Sequence, residues 1–166
     1  MPMTKPTPSL SFSVQYGVPC DAELPRWRLR RWAQVATEVI AEEWLAFGGE
    51  LHGLSLTVRI VDAQEGQSLN REYRQKDYAT NVLTFEYGAD PEHIWHGDIV
   101  LCLPILQAEA AQQGKPLLHH AAHLLIHGCL HAVAYDHEDE EDAEHMEGLE
   151  IEILSRLGIS DPYQHD

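Results

Sequence analysis

Four segments of the chain have the residue pattern of β-strands. Apolar and polar residues alternate along residues 9–16 and 54–60, which predicts two half-buried strands. Residues 82–87 predict a third strand. The run 99–103 is continuously apolar, as in a central strand covered on both faces. A loop over residues 88–98 is expected to join the last two.

Apolar residues recur at helical spacing in five further segments, most of them opened by proline or closed by glycine. Asp62 and Glu65 have the spacing of a capping box at the start of the second of these. The pattern predicts an α+β fold: a single domain with a small mixed sheet of about four strands packed with about five helices. The helices are expected at about residues 25–47, 62–73, 104–114, 116–131 and 140–157.

Length and composition indicate one domain that is not associated with a membrane. Residues 1–8 hold three prolines and little to bury, which predicts a disordered tail before a single domain at residues 9–166. No apolar run is long enough to span a bilayer. The three cysteines are odd in number and lack C-x-x-C spacing, which indicates a reduced, cytoplasmic protein.

The charge balance is strongly acidic, with 27 Asp and Glu against 11 Lys and Arg, a net charge of −16. A protein that binds nucleic acid mainly through a diffuse positive field would be basic, so the composition excludes that class. Any nucleic-acid role must therefore depend on a local patch or on a partner complex. The arginines within residues 26–31 form either a solvated helix face or a patch that faces phosphate.

Three histidines near the end of the fourth helix have the spacing of a zinc site. His127 and His131 are four residues apart, so a helix places both imidazoles on one face. The same spacing continues back to His123 and His119, so the pair is ambiguous by itself. His137 decides the choice, because it follows in a turn that can return it to the same point. Three such ligands with an open fourth position are typical of a catalytic site for one Zn²⁺ ion.

The spacing of these histidines also matches the zinc-peptidase pattern H-E-x-x-H-x-x-G-x-x-H. The general-base Glu of those enzymes would fall at position 128, where this chain has Gly128. Glycine cannot take a proton, so the peptidase interpretation loses its base while the metal interpretation stands. Asp136 or His123 is a candidate to orient a ligand imidazole. Cys129 points away from the metal-facing side and is expected to be a packed residue.

The segment His127-Gly-Cys-Leu-His-Ala-Val-Ala-Tyr-Asp-His137 resembles the H-G-x-L-H-L-x-G-Y-D-H signature of the YbeY family. A second block, Leu69-Asn-Arg-Glu-Tyr-Arg-Gln-Lys-Asp-Tyr-Ala-Thr-Asn-Val-Leu-Thr-Phe85, is similar to the family's L-N-x-x-Y-R-x-K-D-x-P-T-D/N-V-L-S-F. Gly97-Asp-Ile-Val-Leu and Asp161-Pro-Tyr163 are also similar, so the likeness runs from about residue 54 to residue 163. Ala134 replaces a Gly of the family; if this position needs a positive φ, alanine costs about 1 kcal/mol there. Ala79 replaces a Pro of the family, and neither change touches a proposed ligand.

The resemblance implies a zinc-dependent endoribonuclease acting on single-stranded RNA, in 16S rRNA 3′-end maturation and ribosome quality control. Its partners would be rRNA and the ribosomal small subunit or its proteins. Arg74 matches the family's functional arginine and is our candidate catalytic residue, as phosphate binder; the alternative is a structural ion pair with Asp77. Lys76, Arg71 and Arg59 are candidates to extend a basic strip.

Two other functions stay open at the level of sequence. One is a zinc hydrolase of another class, such as a peptidase. The other is a non-catalytic ribosome-assembly factor whose metal is structural. The sequence leaves open the general base, the RNA bond that is cut and the oligomeric state.

Overall fold

The structure, a computed structural model, describes residues 7–76 and 78–164. The predicted tail at residues 1–8 falls outside this range except for Thr7 and Pro8, and Asp77 also lies outside it. Within the described residues the fold is α+β, with a four-stranded mixed sheet and five helices, as predicted. The elements are β1 (Ser9–Tyr16), α1 (Arg26–Ala46), β2 (Gly53–Val61), α2 (Ala63–Arg74), β3 (Val82–Ala89), β4 (Ile94–Cys102), α3 (Leu103–Gln112), α4 (Leu117–Ala132) and α5 (Glu140–Arg156).

The strands are ordered β1-β2-β4-β3, with β1 parallel to β2, β2 parallel to β4, and β3 antiparallel to β4. The prediction that β4 is central is therefore confirmed. The predicted loop over residues 88–98 is wrong in extent, because β4 begins at Ile94 and β3 continues to Ala89. The start of β4 lacks the apolar pattern of a central strand because it contains polar residues. These residues are tolerated because one face of the sheet is only partly covered.

The two faces of the sheet have different neighbours. On one face, Leu56 and Ile60 of β2 and Ile99 of β4 are buried in the main core together with residues of α1, α4 and α5. On the other face, Val100 of β4 belongs to a small cluster with Leu69 of α2. The predicted N-cap of α2 is confirmed, since Asp62 accepts a 2.8 Å hydrogen bond from the backbone N–H of Glu65. The Glu65 carboxylate binds Arg59 instead of completing the capping box. Helix α2 leaves the polar residues of this second face partly exposed.

Two glycines let α4 approach β4 closely. A Cβ on Gly128 of α4 would lie 3.0 Å from side-chain atoms of Ile99, and a Cβ on Gly97 of β4 would lie 2.9 Å from the Cβ of Ala132. Real Cβ atoms essentially never come as near as the distance at Gly97, and the distance at Gly128 is tighter than nine in ten real Cβ contacts. The C-terminal end of α4 is therefore seated directly on the sheet, and its position is set by packing rather than by a flexible connection.

The arginines at the start of α1 bind the edge strand β1. Arg26 donates a 2.6 Å hydrogen bond to the carbonyl of Val14, and Arg30 donates one of 3.3 Å to the carbonyl of Leu10. Arg26 also lies over the ring of Tyr16. These contacts favour a structural role for the arginine cluster over a phosphate-facing one. None of the described helices has both the length and the apolar character needed to cross a membrane.

Candidate metal centre

Three imidazole rings converge where α4 ends. His127 and His131 lie one turn apart on α4, and His137 lies in the loop that follows. The Nε2 atoms of His127 and His131 are 3.0 Å apart. One ring nitrogen from each of the three histidines lies within 4.8 Å of the other two. The structure thus brings the three predicted ligands together around one point.

The donor set fits a zinc ion. Nitrogen ligands at about 2.0–2.1 Å in a tetrahedron are separated by about 3.3 Å, close to the 3.0 Å between the Nε2 atoms of His127 and His131. His137 is exposed, so the point shared by the rings is open to solvent on its side. Three neutral nitrogens and an accessible fourth position are the arrangement of a catalytic rather than a structural zinc site.

Glu150 of α5 orients the imidazole ring of His127 through a hydrogen bond. Its Oε2 accepts a 2.8 Å hydrogen bond from Nδ1 of His127. A proton on Nδ1 leaves the lone pair of Nε2 for a metal, so this contact selects the tautomer that a ligand needs. The side chain of Glu150 is only 1% exposed. From the sequence we expected Asp136 or His123 to orient a ligand imidazole, and Glu150 was not predicted.

Two further donors keep Glu150 ionised. Nε2 of His123 lies 2.6 Å from its Oε1, and the Tyr163 hydroxyl donates to the same oxygen at 2.5 Å. Burial alone raises the pKa of Glu150, but the hydrogen bonds from His123, His127 and Tyr163 outweigh it and hold the pKa at about 2. Glu150 is therefore a charged acceptor at neutral pH. His123 was predicted to orient a ligand imidazole directly. It contacts Glu150 instead, and Glu150 contacts His127.

Burial keeps His131 neutral. Burial is the largest of the causes that together lower the pKa of His131 to about 4, and the neighbouring rings of His127 and His137 act in the same direction. A backbone hydrogen bond at Tyr135 acts in the opposite direction and is outweighed. The neutral imidazole is the form that binds a metal, so this ligand is ready at physiological pH.

A tight turn carries the chain from His131 to His137. Ala134 has a φ of 73°. Its N–H donates to the carbonyl of His131 at 3.0 Å, and the N–H of Tyr135 donates to that of Leu130 at 3.1 Å. This is a Schellman motif with a left-handed residue at C′, the position that favours glycine. The suspected positive φ at Ala134 is therefore present.

Tyr135 attaches the same loop to α1. Trp44 donates a 2.9 Å hydrogen bond to the Tyr135 hydroxyl, which in turn donates to Glu43. Burial and the hydrogen bond to Glu43 both raise the pKa of Tyr135, so its hydroxyl stays protonated. The loop is thus held two residues before His137, which limits where that imidazole can lie.

The two residues after His127 face the core. The would-be Cβ of Gly128 points into Ile99, so a glutamate at this position would meet the sheet and not the metal. Cys129 is fully buried, and burial raises the pKa of its thiol to about 12. The structure therefore agrees with the loss of a peptidase base and with a packing role for Cys129.

Arg74 is not part of the histidine cluster. It is the last residue of α2 and lines a cavity of about 300 Å³ along β3 together with Thr84 and Glu86. Burial is the largest cause that raises the pKa of Glu86 in this cavity, and the carboxylate of Asp136 acts in the same direction. Asp77, the alternative partner of Arg74, lies outside the described residues.

The predicted basic strip is only partly available to an anion. Arg59 is engaged by Glu65, with 2.9 Å between its Nη2 and Oε1 of the carboxylate. Arg74 and Lys76 are exposed near the end of α2. Any phosphate contact on this side therefore depends mainly on the end of α2 rather than on β2.

Residues 21–158 match the family model described as Endoribonuclease YbeY. The chain belongs to the YbeY family. The Endoribonuclease YbeY of Bordetella pertussis is 56% identical over 154 residues, which cover 93% of this chain and 96% of that protein. The one from Thiobacillus denitrificans is 47% identical over 156 residues, 94% of this chain and 97% of that protein.

A solved structure shares the YbeY-family fold of this chain. The solution structure of TM1509 from Thermotoga maritima superposes with a TM-score of 0.56 at 22% identity, covering 95% of this chain and all of that one. The family resemblance inferred from the motifs is confirmed by the family model and by the relatives named above.

The signal that could have revealed Glu150 is its place on the apolar stripe of α5, next to Leu149, where a carboxylate needs a buried partner.

Proposed function

We propose that this member of the YbeY family is a zinc-dependent endoribonuclease that cleaves single-stranded RNA. The observation that carries the proposal is the convergence of three imidazoles, with Glu150 setting the tautomer of one of them. The names of the relatives supply the reaction class. We assign His127, His131 and His137 as ligands of one zinc ion and Arg74 as the catalytic phosphate binder.

The chemistry of these residues suits a phosphodiester. A zinc ion, when bound, supplies a Lewis acid and lowers the pKa of a water molecule toward neutrality. Arg74 provides a planar guanidinium that binds two phosphate oxygens and stabilises the negative charge of the transition state. Its exposed position at the end of α2 leaves it accessible to a strand that passes along the edge of β3.

The products will identify the nucleophile. Attack by the RNA 2′-hydroxyl forms a bond from O2′ to phosphorus, expels the 5′-oxygen of the next nucleotide and leaves a 2′,3′-cyclic phosphate. Attack by water leaves a linear phosphate and a hydroxyl instead. Mass spectrometry of the cleaved RNA distinguishes these ends, and a substrate with a 2′-deoxy group at the cut site remains cleavable only if water attacks.

Metal removal tests the proposed cofactor. Zinc content should be near one ion per chain, and purified protein should cut a labelled single-stranded RNA but not the same sequence in a duplex. Treatment with a chelator should abolish cleavage, and added zinc should restore it. Full activity in the zinc-free protein would exclude the proposed chemistry.

Substitution of Arg74 tests its role separately. Loss of one charge-stabilising donor typically lowers catalysis about 100- to 1,000-fold, so Arg74→Ala should lower kcat/KM by that order with unchanged zinc content. Arg74→Lys should be intermediate, because it keeps the charge and loses the bidentate geometry. Arg31→Ala, at an exposed arginine on α1, is the matched control. Wild-type cleavage by Arg74→Ala would remove Arg74 from the site.

We further propose that the cellular substrate is the 3′ end of 16S rRNA and that the small subunit or one of its proteins delivers it. The net charge of −16 supports delivery by a partner, because it opposes binding of free RNA. The three free, buried cysteines support a cytoplasmic location. A bacterium that lacks this gene should accumulate 16S rRNA with unprocessed 3′ ends, and assembled subunits should be cut faster than the isolated rRNA fragment.

A further inference from the structure

Two adjoining cavities lie on the partly covered face of the sheet and at its free edge. One, of about 400 Å³, lies between α2 and the strands, and the other, of about 300 Å³, lies at the outer edge of β3. Both are lined by Tyr73, Phe85 and Tyr87. The second is also lined by Arg74. Because they share these three rings, the two cavities form one surface that leads from the open sheet face to Arg74 at the free edge of β3.

The tyrosines of this surface are exposed but held in place. Tyr73 and Tyr87 are 59% and 62% exposed. The ring of Tyr73 packs edge-on against Phe85, with 5.1 Å between centroids. The hydroxyl of Tyr87 donates a 2.8 Å hydrogen bond to Asp98. Exposed rings in fixed orientations can stack on a flat partner with little loss of side-chain entropy.

The surroundings of these rings fit a nucleobase. Leu69 and Val100 add apolar surface to the larger cavity, while Gln15 and Thr57 place an amide and a hydroxyl at its polar side. An aromatic platform beside a few polar groups is the arrangement that holds an unpaired base in single-strand-binding proteins. Phosphate attraction alone would not suffice here, because Arg59 is already paired with Glu65 and the chain as a whole is acidic.

We propose that Tyr73 and Tyr87 form a base-stacking subsite for the single-stranded RNA whose backbone passes Arg74. The subsite rests on the proposed endoribonuclease function and adds a physical origin for strand selectivity. Bases in a duplex are stacked on one another and cannot reach the tyrosine rings, whereas unpaired bases can. Stacking also supplies affinity that does not depend on the charge of the protein.

The test uses zinc-loaded protein and a short fluorescein-labelled RNA made uncleavable by 2′-O-methyl phosphorothioate linkages, with binding measured by anisotropy. Loss of one stacked base should weaken binding about 5- to 100-fold in Tyr73→Ala and in Tyr87→Ala. Tyr73→Phe keeps the ring and its contact with Phe85, so it should bind like wild type. Tyr87→Phe keeps the ring but loses the hydrogen bond to Asp98, so its affinity should lie between those of wild type and Tyr87→Ala. Trp27→Ala removes an aromatic ring of equal exposure on α1 and should also bind like wild type.

Two further readouts separate stacking from a phosphate or folding effect. An abasic strand of the same length should bind wild type weakly and should not respond to either Tyr→Ala change. The slope of log affinity against log salt should be unchanged in the tyrosine variants and smaller in Arg74→Ala. Zinc content of all variants should equal that of wild type.

Equal affinity of wild type and both Tyr→Ala variants for the base-containing strand would overturn the subsite alone, provided that wild type cleaves RNA. So would a wild-type dimer that Tyr87→Ala dissociates with no change in RNA affinity, since the surface would then join two copies of the chain. Wild type that neither binds nor cleaves RNA would overturn the proposed function and the subsite together.

Discussion

Ala134 occupies a backbone position that the sequence could flag but not establish. The resemblance to a family with Gly at this place suggested a left-handed residue, and the observed φ of 73° confirms it. A side chain at such a φ costs about 1–2 kcal/mol in an L-residue. The loop tolerates this because the Schellman hydrogen bonds and Tyr135 fix it on both sides.

Ala134→Gly should therefore stabilise the protein by about 0.5–1 kcal/mol, because strain relief exceeds the added entropy of the unfolded chain. Urea unfolding at neutral pH measures the change. Ala108→Gly, at an exposed position inside α3, should have the opposite sign and cost about 1 kcal/mol. Destabilisation by both changes would show that Ala134 carries no strain.

Glu150 is a residue whose contact with a candidate metal ligand was not predicted from the sequence. Its carboxylate accepts from His127, His123 and Tyr163, residues that are 13 to 27 positions away in the chain. The acidic residues Glu140, Glu141 and Asp142 lie in the first turn of α5, where they complement the helix dipole, whereas Glu150 lies in the buried part of the helix. Its role depends on how α5 packs against α4, which local patterns do not contain.

Glu150→Gln should lower zinc affinity about 10- to 100-fold, because one amide oxygen cannot replace a carboxylate that accepts three hydrogen bonds. Competition with a chromophoric chelator measures the affinity. Glu144→Gln, at an exposed position on the same helix, is the control and should leave it unchanged. Equal affinities in the two variants would mean that the contact to His127 does not support metal binding.

At the scale of elements, periodicity located every helix and strand in the described residues but not every boundary. Strand β1 agrees with its prediction at both ends, since its alternation is strict. Strand β4 was predicted to begin five residues too late, because His96 and Asp98 lie on the partly covered face and break the apolar pattern. The pairing order of the strands and the contact between α4 and β4 are long-range and could not be read from the chain.

Gly128→Glu tests that contact. We expect a loss of at least about 3 kcal/mol in the free energy of unfolding, from overpacking against Ile99 and burial of a charge. Gly148→Glu, in open space on α5, should change stability by less than about 1 kcal/mol. Wild-type stability of the Gly128→Glu protein would contradict the close contact between α4 and β4.

At the scale of the whole molecule, the three candidate metal ligands were predicted from the sequence, whereas the residues around them are known only from the structure. The three histidines were predicted from spacing and are brought together by the fold. Arg74 was predicted by resemblance and lies at the end of α2, outside the histidine cluster and next to a surface of exposed tyrosines. The acidic net charge, known from composition alone, makes such a local surface more important.

Acid stability should respond to His120, a buried residue outside the metal centre. Burial lowers the pKa of His120; Glu109 opposes this shift and Lys115 adds to it. Below about pH 6.5, His120 of the unfolded chain binds a proton, whereas His120 of the native state remains neutral to a lower pH. His120 therefore lowers the free energy of unfolding as the pH falls below that value. His120→Gln should flatten this part of the profile in urea unfolding measured from pH 7 to pH 5. An unchanged profile would contradict the assignment.

The central claim is that the three-histidine site performs the cleavage of RNA. The most direct measurement is cleavage of a labelled single-stranded RNA by His127→Ala protein that is shown by circular dichroism to be folded and by elemental analysis to lack zinc. We expect this protein to leave the RNA intact, whereas wild type should cut it. Undiminished cleavage by the folded, zinc-free variant would falsify the claim.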